Sequence, residues 1–298
     1  MTSSRILISG ASGLIGTALV PTLEARGFRV TRLVRTRRAG DTDVEWDPTK
    51  PLSPELVSGF DAVIHLAGEP VMGLWTDAKR ARILNSRVLS TKHLSEALAK
   101  TPQPPRVLIS GSATGYYGDR GGDVLREDSP SGEGFLPEVC RQWEAATKPA
   151  EDAGIRTAYI RTGIVLSGKG GALRAMLPNF KMGLGGKIGS GRQWMSWIHI
   201  QDHIGAINHI LDHELIQGPV NLVAPSPVRN SEFTETLAKV SSRPALLGVP
   251  AFALRLVLGD MARELLLASQ RVEPAKLLGS GYQFKYPDLQ SALLNILG

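Results

Sequence analysis

The sequence predicts an α/β protein built on a doubly wound parallel sheet, with a smaller helix-rich lobe at the carboxyl end. Three observations predict it. Short β-branched runs alternate with longer amphipathic stretches over the first 167 residues; a glycine-rich turn, GASGLIG, joins the first run to the first helical pattern; and the alternation stops near residue 167, where glycines crowd together. Strand, helix and strand in repeated order mean parallel pairing through right-handed crossovers, with helices on both faces of one sheet.

Taken in order, Arg5 to Ser9, Arg29 to Val34, Val44 to Trp46, Ala62 to Leu66, Arg106 to Ser110 and Arg156 to Arg161 each read as a brief, mostly apolar strand. Thr17 to Arg26, Thr76 to Lys100 and Pro137 to Ala153 read as the intervening helices. Glycines then cluster as GKGG at 168 to 171 and GLGGKIGSG at 183 to 191. Beyond them WIHI at 197 to 200, a helix from Asp202 to Leu211 and a strand at Val220 to Val223 are expected to return to the first sheet. From Ala224 to Leu297 the chain is helix-rich and punctuated by prolines such as Pro225, Pro250 and Pro287. The predicted division is therefore 1–167 with 197–223 as one domain, and 168–196 with 224–298 as the lobe that closes over it.

Bulk properties narrow the function. With 298 residues, 42% of them hydrophobic, the chain buries a large core. No apolar run reaches the roughly 18 to 20 residues that cross a bilayer, and the opening MTSSRILISG passes into a strand without a signal-peptide layout, so a cytoplasmic location is expected. The one cysteine, Cys140, excludes an intrachain disulfide and a cysteine-based zinc site, and no metal is expected. The net charge of +6 is concentrated rather than spread: Arg29, Arg32, Arg35, Arg37 and Arg38 fall within ten residues. A nucleic-acid binder would spread its basic residues along a face, so this cluster reads as serving one phosphate.

The turn carries the sharpest chemical signal. Gly10, Gly13 and Gly16 follow an apolar strand and open a helix, the setting in which bare backbone amides and the helix dipole receive a pyrophosphate. Gly10 permits the tight turn, Gly13 lets the phosphate approach, and Gly16 lets the helix pack on the strand, while Ser12, Leu14 and Ile15 complete the set of adjoining residues. This is the dinucleotide turn of a Rossmann fold, spaced GxxGxxG rather than GxGxxG. NAD-binding versions carry an acidic residue about 20 positions on, where it accepts from the ribose hydroxyls. Here Arg35 holds that place, and an arginine fork matches a 2′-phosphate instead, with Arg37 or Arg38 as a second contact. The expected cofactor is NADP(H).

Taken together, GASGLIG, HLAGE at 65 to 69, SGSATGYYGD at 110 to 119, RTGIVL at 161 to 166 and WIHIQD at 197 to 202 resemble an extended short-chain dehydrogenase/reductase. More narrowly, WDP at 46 to 48, CRQWE at 140 to 144 and the closing GYQFKYPDLQSAL resemble the atypical epimerase family proteins, sometimes labelled SulA-type nucleotide-sugar epimerases. The resemblance spans essentially the whole chain. It implies that Leu66, Ala67 and Gly68 line the cofactor at the end of the fourth strand and that Ile164 lies beside the nicotinamide. It also implies that the helix beginning near Thr76 offers Arg87, next to Ser86, where ordinary members place an asparagine. A cation there would hold a cofactor phosphate or an anionic substrate.

Ordinary members use a Tyr-x-x-x-Lys pair, the tyrosine exchanging a proton with substrate oxygen while the lysine lowers its pKa. This sequence lacks it. Aligned on Glu144, Leu136 stands in the tyrosine place and Cys140 in the lysine place. The remaining candidates are Ser112, which resembles the family's substrate-polarising serine, and Tyr116 and Tyr117, either of which would be the acid if a cation such as Arg87 lay near. Cys140, His65 and His199 are expected in the core, whereas Trp194 and Trp197 wall the substrate pocket or pack between domains. The leading expectation is an NADP(H)-dependent oxidoreductase or epimerase-like enzyme on a small carbonyl or hydroxyl substrate, as a monomer or homodimer without a membrane or nucleic-acid partner. The competing one is an NADP(H)-sensing regulatory or scaffolding protein without chemistry.

Overall fold

A computed structural model of the protein describes residues 4–37 and 42–298. Its first half runs β1 (Arg5–Ser9), α1 (Leu14–Ala25), β2 (Arg29–Val34), β3 (Val44–Glu45), β4 (Ala62–His65), α2 (Asp77–Lys100), β5 (Val107–Ala113) and β6 (Val124–Leu125). There follow α3 (Phe135–Ala145), α4 (Lys148–Asp152), β7 (Arg156–Thr162), β8 (Ile164–Leu166), α5 (Gly171–Lys181), β9 (Trp194–Met195), β10 (Trp197–His199), α6 (Ile200–Asp212) and β11 (Gly218–Leu222). The chain closes with β12 (Val228–Arg229), α7 (Asn230–Val240), α8 (Ala251–Leu258), β13 (Arg271–Val272), α9 (Ala275–Gly279) and α10 (Leu289–Leu297).

Among the described residues, seven strands form the central sheet in the order β11-β7-β5-β4-β1-β2-β3, and every pair is parallel. The order reverses at β1, which lies between β2 and β4, so a crevice opens at their carboxyl ends. Alternation along each strand splits the core. Ile6, Ile8, Ile64, Ile109 and Ile160 pack against Leu19 and Leu23 of α1 and Ile207 and Ile210 of α6. Leu7, Val63 and Leu108 face the other way, onto Leu94 and Leu98 of α2. A third cluster joins Leu173 and Phe180 of α5, Phe233 and Leu237 of α7 and Leu289 and Leu293 of α10 around the fully buried Trp197.

Several expectations need correction. Pro137 to Ala153 is two helices: Pro149 has no N–H to continue the ladder, and at the break the Thr147 hydroxyl shares its one proton between the Glu144 carbonyl (2.7 Å) and the Glu151 carboxylate (2.8 Å). WIHI does not join the central sheet. Trp197–His199 pairs with Ile164–Leu166 in a separate two-stranded ribbon, and only β11 returns, beside β7. The crowded glycines of 183–191 have a packing cause. A Cβ on Gly186 would stand 2.1 Å from the Leu247 carbonyl oxygen, because this stretch lies against residues 245–249 and accepts from the Leu247 and Val249 amides.

Candidate active site

The turn after β1 is built without side chains. Gly10 has φ +73°, and a Cβ there would sit 2.7 Å from the carbonyl carbon of Leu66 at the end of β4. A Cβ on Gly16 would meet the Gly10 oxygen at 2.3 Å and Ala11 Cα at 2.6 Å. Gly16 therefore seats α1 on its own turn rather than on the strand, which corrects the expected role. Gly13 is the N-cap and carries no capping side chain, whereas Thr76 caps α2 and Asp288 caps α10. The first amides of α1 are thus left for an outside acceptor. Ser12 and Gly13 are exposed and Ile15 is half-buried; Leu14 packs its methyls near Gly170 and Gly171, at the start of α5.

Arg35 follows the last residue of β2, is exposed, and makes no side-chain hydrogen bond or ion pair among the described residues. Of the two expected second contacts, Arg37 is exposed and Arg38 lies outside the described residues. Leu66, Ala67 and Gly68 continue β4 across the crevice from Gly10, and Ile164 begins β8, its amide donating to the Ser196 carbonyl at 2.8 Å. Arg87 lies behind Gly68: a Cβ there would be 3.1 Å from the guanidinium carbon. Its Nη1 donates to the carbonyls of Glu69 (2.9 Å) and Ile83 (3.1 Å), and the group lies 5.0 Å from the Trp143 ring centre. Among the described residues it has no carboxylate partner, and burial lowers its pKa from the usual arginine value.

The polar cluster at the carboxyl edge centres on Arg161. Ser112 and Arg161 are register partners on β5 and β7, two residues beyond the row Ser9, His65, Ser110. Ser112 donates to Glu144 Oε1 at 2.7 Å, and Arg161 grips both oxygens of the same carboxylate at 2.8 Å each. Arg161 also donates to the Tyr117 hydroxyl (3.1 Å) and the Glu127 carbonyl (3.2 Å), and lies 3.5 Å from the Tyr116 ring centre. Burial works against its charge, but the bonds to Glu144 outweigh it and its pKa is raised.

The cation beside the tyrosines is therefore Arg161, not Arg87 as expected. Tyr117 is fully buried and donates to Asn221 Oδ1 at 2.7 Å, and burial pushes its phenol up to about 12. It is a structural member of the Arg161 network, which corrects its assignment as a candidate acid. Tyr116 is half-buried and its hydroxyl has no partner among the described residues. On α3, Leu136 and Cys140 are buried, and burial followed by the Glu144 charge pushes the thiol up to about 12. His65 sits fully enclosed between Ser9 (2.6 Å) and Ser90 (3.1 Å), and burial lowers it to about 4. Trp197 is in the core, while Trp194 lines an open cleft.

Sequence reasoning missed Arg161, Glu144 and Asn221. A signal existed: Arg161 interrupts an apolar strand, and a charge buried there requires a carboxylate. Nothing local pointed to Glu144, which meets it from α3.

Residues 6–222, carrying the turn and the Arg161 cluster, match the NAD dependent epimerase/dehydratase family. The chain belongs to that family. It is an atypical extended short-chain dehydrogenase/reductase, and residues 249–296 match a domain of unknown function, DUF1731. An epimerase family protein of Mycobacterium bovis is 39% identical over 295 residues, covering 98% of this chain and 97% of that one. The crystal structure of human epimerase family protein SDR39U1 with NADPH is similar at a TM-score of 0.90 and 36% identity, covering 98% of this chain and 99% of that one. The nucleoside-diphosphate sugar epimerase of Corynebacterium glutamicum has a TM-score of 0.82 and 39% identity; this chain is covered in full and spans 59% of that longer one. Among the described residues of this family member, no helix is long and apolar enough to cross a membrane.

Proposed function

We propose that the protein is an NADP(H)-dependent oxidoreductase or epimerase-like enzyme acting on a small carbonyl or hydroxyl substrate, a nucleotide sugar being one such substrate. The observation that carries this reading is the crevice between Gly10 and Leu66, where an added Cβ would collide with backbone and the amides of α1 stay uncapped. That cradle fits a pyrophosphate. Gly10, Ser12, Gly13, Leu14, Ile15 and Gly16 would hold it, Arg35 and Arg38 the 2′-phosphate; Leu66, Ala67 and Gly68 would line the cofactor, Ile164 would lie beside the nicotinamide, and Arg87 would serve a cofactor phosphate or an anionic substrate. The NADPH in the human relative and the name of the Corynebacterium relative support the choices of cofactor and substrate.

When bound, the cofactor supplies a hydride acceptor or donor. The chain's own residues supply proton control. Ser112 offers its hydroxyl to a substrate oxygen at the cost of its bond to Glu144, and Tyr116, whose phenol has no partner among the described residues, exchanges the proton. The Arg161 guanidinium, 3.5 Å from the ring centre, holds that ring in place at the edge of the cluster. In this reading 1–167 with 197–223 carries the cofactor, 168–196 with 224–298 selects the substrate, and the protein works in the cytoplasm as a monomer or homodimer.

The buried Leu136 and the neutral Cys140 thiol favour a second reading, NADP(H) binding without chemistry. Calorimetry with NADPH and NADH tests the cofactor, and a panel of carbonyl compounds and nucleotide sugars tests the reaction. Turnover lost in Tyr116→Phe supports the enzyme; tight NADPH binding with no turnover across the panel supports the sensor.

A further inference from the structure

Globular proteins scatter single apolar side chains over their surface. Here they gather. Among the described residues fifteen large apolar side chains are exposed, and eight of them fall within 182–184 and 246–257, which makes a patch rather than a scatter. Those two stretches lie side by side: residues 184 and 245 form a bridge, the Leu247 amide donates to the Gly185 carbonyl at 3.2 Å, and the Val249 amide donates to the Lys187 carbonyl at 2.9 Å. Helix α8 continues the face. None of its eight residues is buried, and Phe252 and Leu256, one turn apart, are 72% and 85% exposed. Leu246 stands out from the segment before it at 84%.

The charge around this face has one sign. No aspartate or glutamate occurs between Asp152 and Asp202 or between Glu235 and Asp260. Lys181, Lys187, Arg243 and Arg255 are exposed, and none of them makes an ion pair among the described residues. Arg243 Nε donates to the Lys181 carbonyl at 3.1 Å, which ties the two stretches together, and Arg255 follows Phe252 by three positions on the same side of α8. Asp260, where the second acid-free stretch ends, is already held by Arg80 at 2.6 Å and Arg263 at 3.0 Å.

Protruding apolar groups flanked by cations match an anionic lipid surface, where the apolar groups enter the boundary between headgroups and acyl chains and the cations meet the headgroup charge. A second copy of the chain fits less well, because a two-fold contact would set each group of cations against its like. Spanning length is not needed for such a contact, and α8 is far too short to span. We propose that this face docks the protein on the surface of a membrane rich in anionic lipid, with Phe252 and Leu256 inserted at headgroup level and Lys181 and Lys187 beside them. The docking does not depend on the reaction proposed above, and none of these residues belongs to the proposed cofactor cradle.

The test is co-sedimentation of the full-length protein with vesicles of equal parts phosphatidylglycerol and phosphatidylcholine, and with vesicles of phosphatidylcholine alone. It is repeated with the double variants Phe252→Ser with Leu256→Ser and Lys181→Gln with Lys187→Gln. All four side chains are exposed, so the melting temperature should stay at the wild-type value in both variants. The expected result is saturable binding to the anionic vesicles that weakens as salt rises, with little binding to phosphatidylcholine alone. Removing two cations should weaken it about 30-fold, and removing two inserted side chains at least as much. No binding to the anionic vesicles, or binding unchanged in either variant, would overturn the proposal. Wild-type protein that sediments as a dimer in the ultracentrifuge, where the Phe252→Ser with Leu256→Ser variant sediments as a monomer, would overturn it in favour of a second copy. A polyglutamate peptide that binds more tightly than the vesicles and loses affinity in both variants would overturn it in favour of an acidic protein partner.

Discussion

Replacing Arg161 tests whether the polar cluster is held together by one buried ion pair. Arg161 is 3% exposed and Glu144 11% exposed, and the carboxylate takes two bonds from the guanidinium and one from Ser112. Arg161→Met removes the countercharge and leaves Glu144 with the serine alone. Stranding a buried carboxylate costs about 3–5 kcal/mol, which for a chain of this size lowers Tm by about 5–8 °C. Glu144→Leu should cost a similar amount. The double variant, which exchanges the pair for apolar side chains of similar volume, should recover at least about 2 kcal/mol of the summed loss. Urea unfolding of all four proteins at pH 7.5 gives the cycle. Single variants within about 1 kcal/mol of wild type, or strictly additive effects, would refute the assignment of this pair as the centre of the cluster.

Gly16→Ala should cost about 2 kcal/mol of stability and weaken NADPH at least tenfold, because the new methyl meets backbone of the turn itself at 2.3 Å; unchanged NADPH titration would count against the cradle. Arg35→Ala should raise the Kd for NADPH about 10- to 100-fold, the loss of one charge-assisted contact, and leave NADH unaffected in parallel titrations. His65 and His203 are fully enclosed, and burial lowers them to about 4 and about 3, below the unfolded value near 6.5. The unfolded chain therefore binds the extra protons between these values, so their stabilisation is complete above pH 6.5 and is lost as pH falls toward 4. It is on the order of 3 kcal/mol for His65 alone. The urea midpoint should hold from pH 8 to 7 and drop by pH 5, with a flatter profile in His65→Gln; a level midpoint across this range would contradict the burial argument. Cys140, with its thiol pushed up to about 12, should resist iodoacetamide until denaturant is added, as mass spectrometry would show.

The sequence by itself determined the sheet, the cofactor turn and the departure from the Tyr-x-x-x-Lys pattern. Each is written in neighbouring residues: alternation within a strand, three glycines within seven positions, and fixed spacing along α3. Strand ends shifted by a residue or so, with β5 running three residues beyond its expected end, because termini depend on pairing. What only the tertiary structure decided is everything that joins distant segments. Glu144 reaches Ser112 across 32 positions, and Asn221 reaches Tyr117 across 104. The same folding divided two adjacent phenols into one sealed in the core and one left at the edge. Hydrophobic period is a property of the chain, whereas the partner of a buried charge is chosen by which elements pack together, and no spacing rule records that choice.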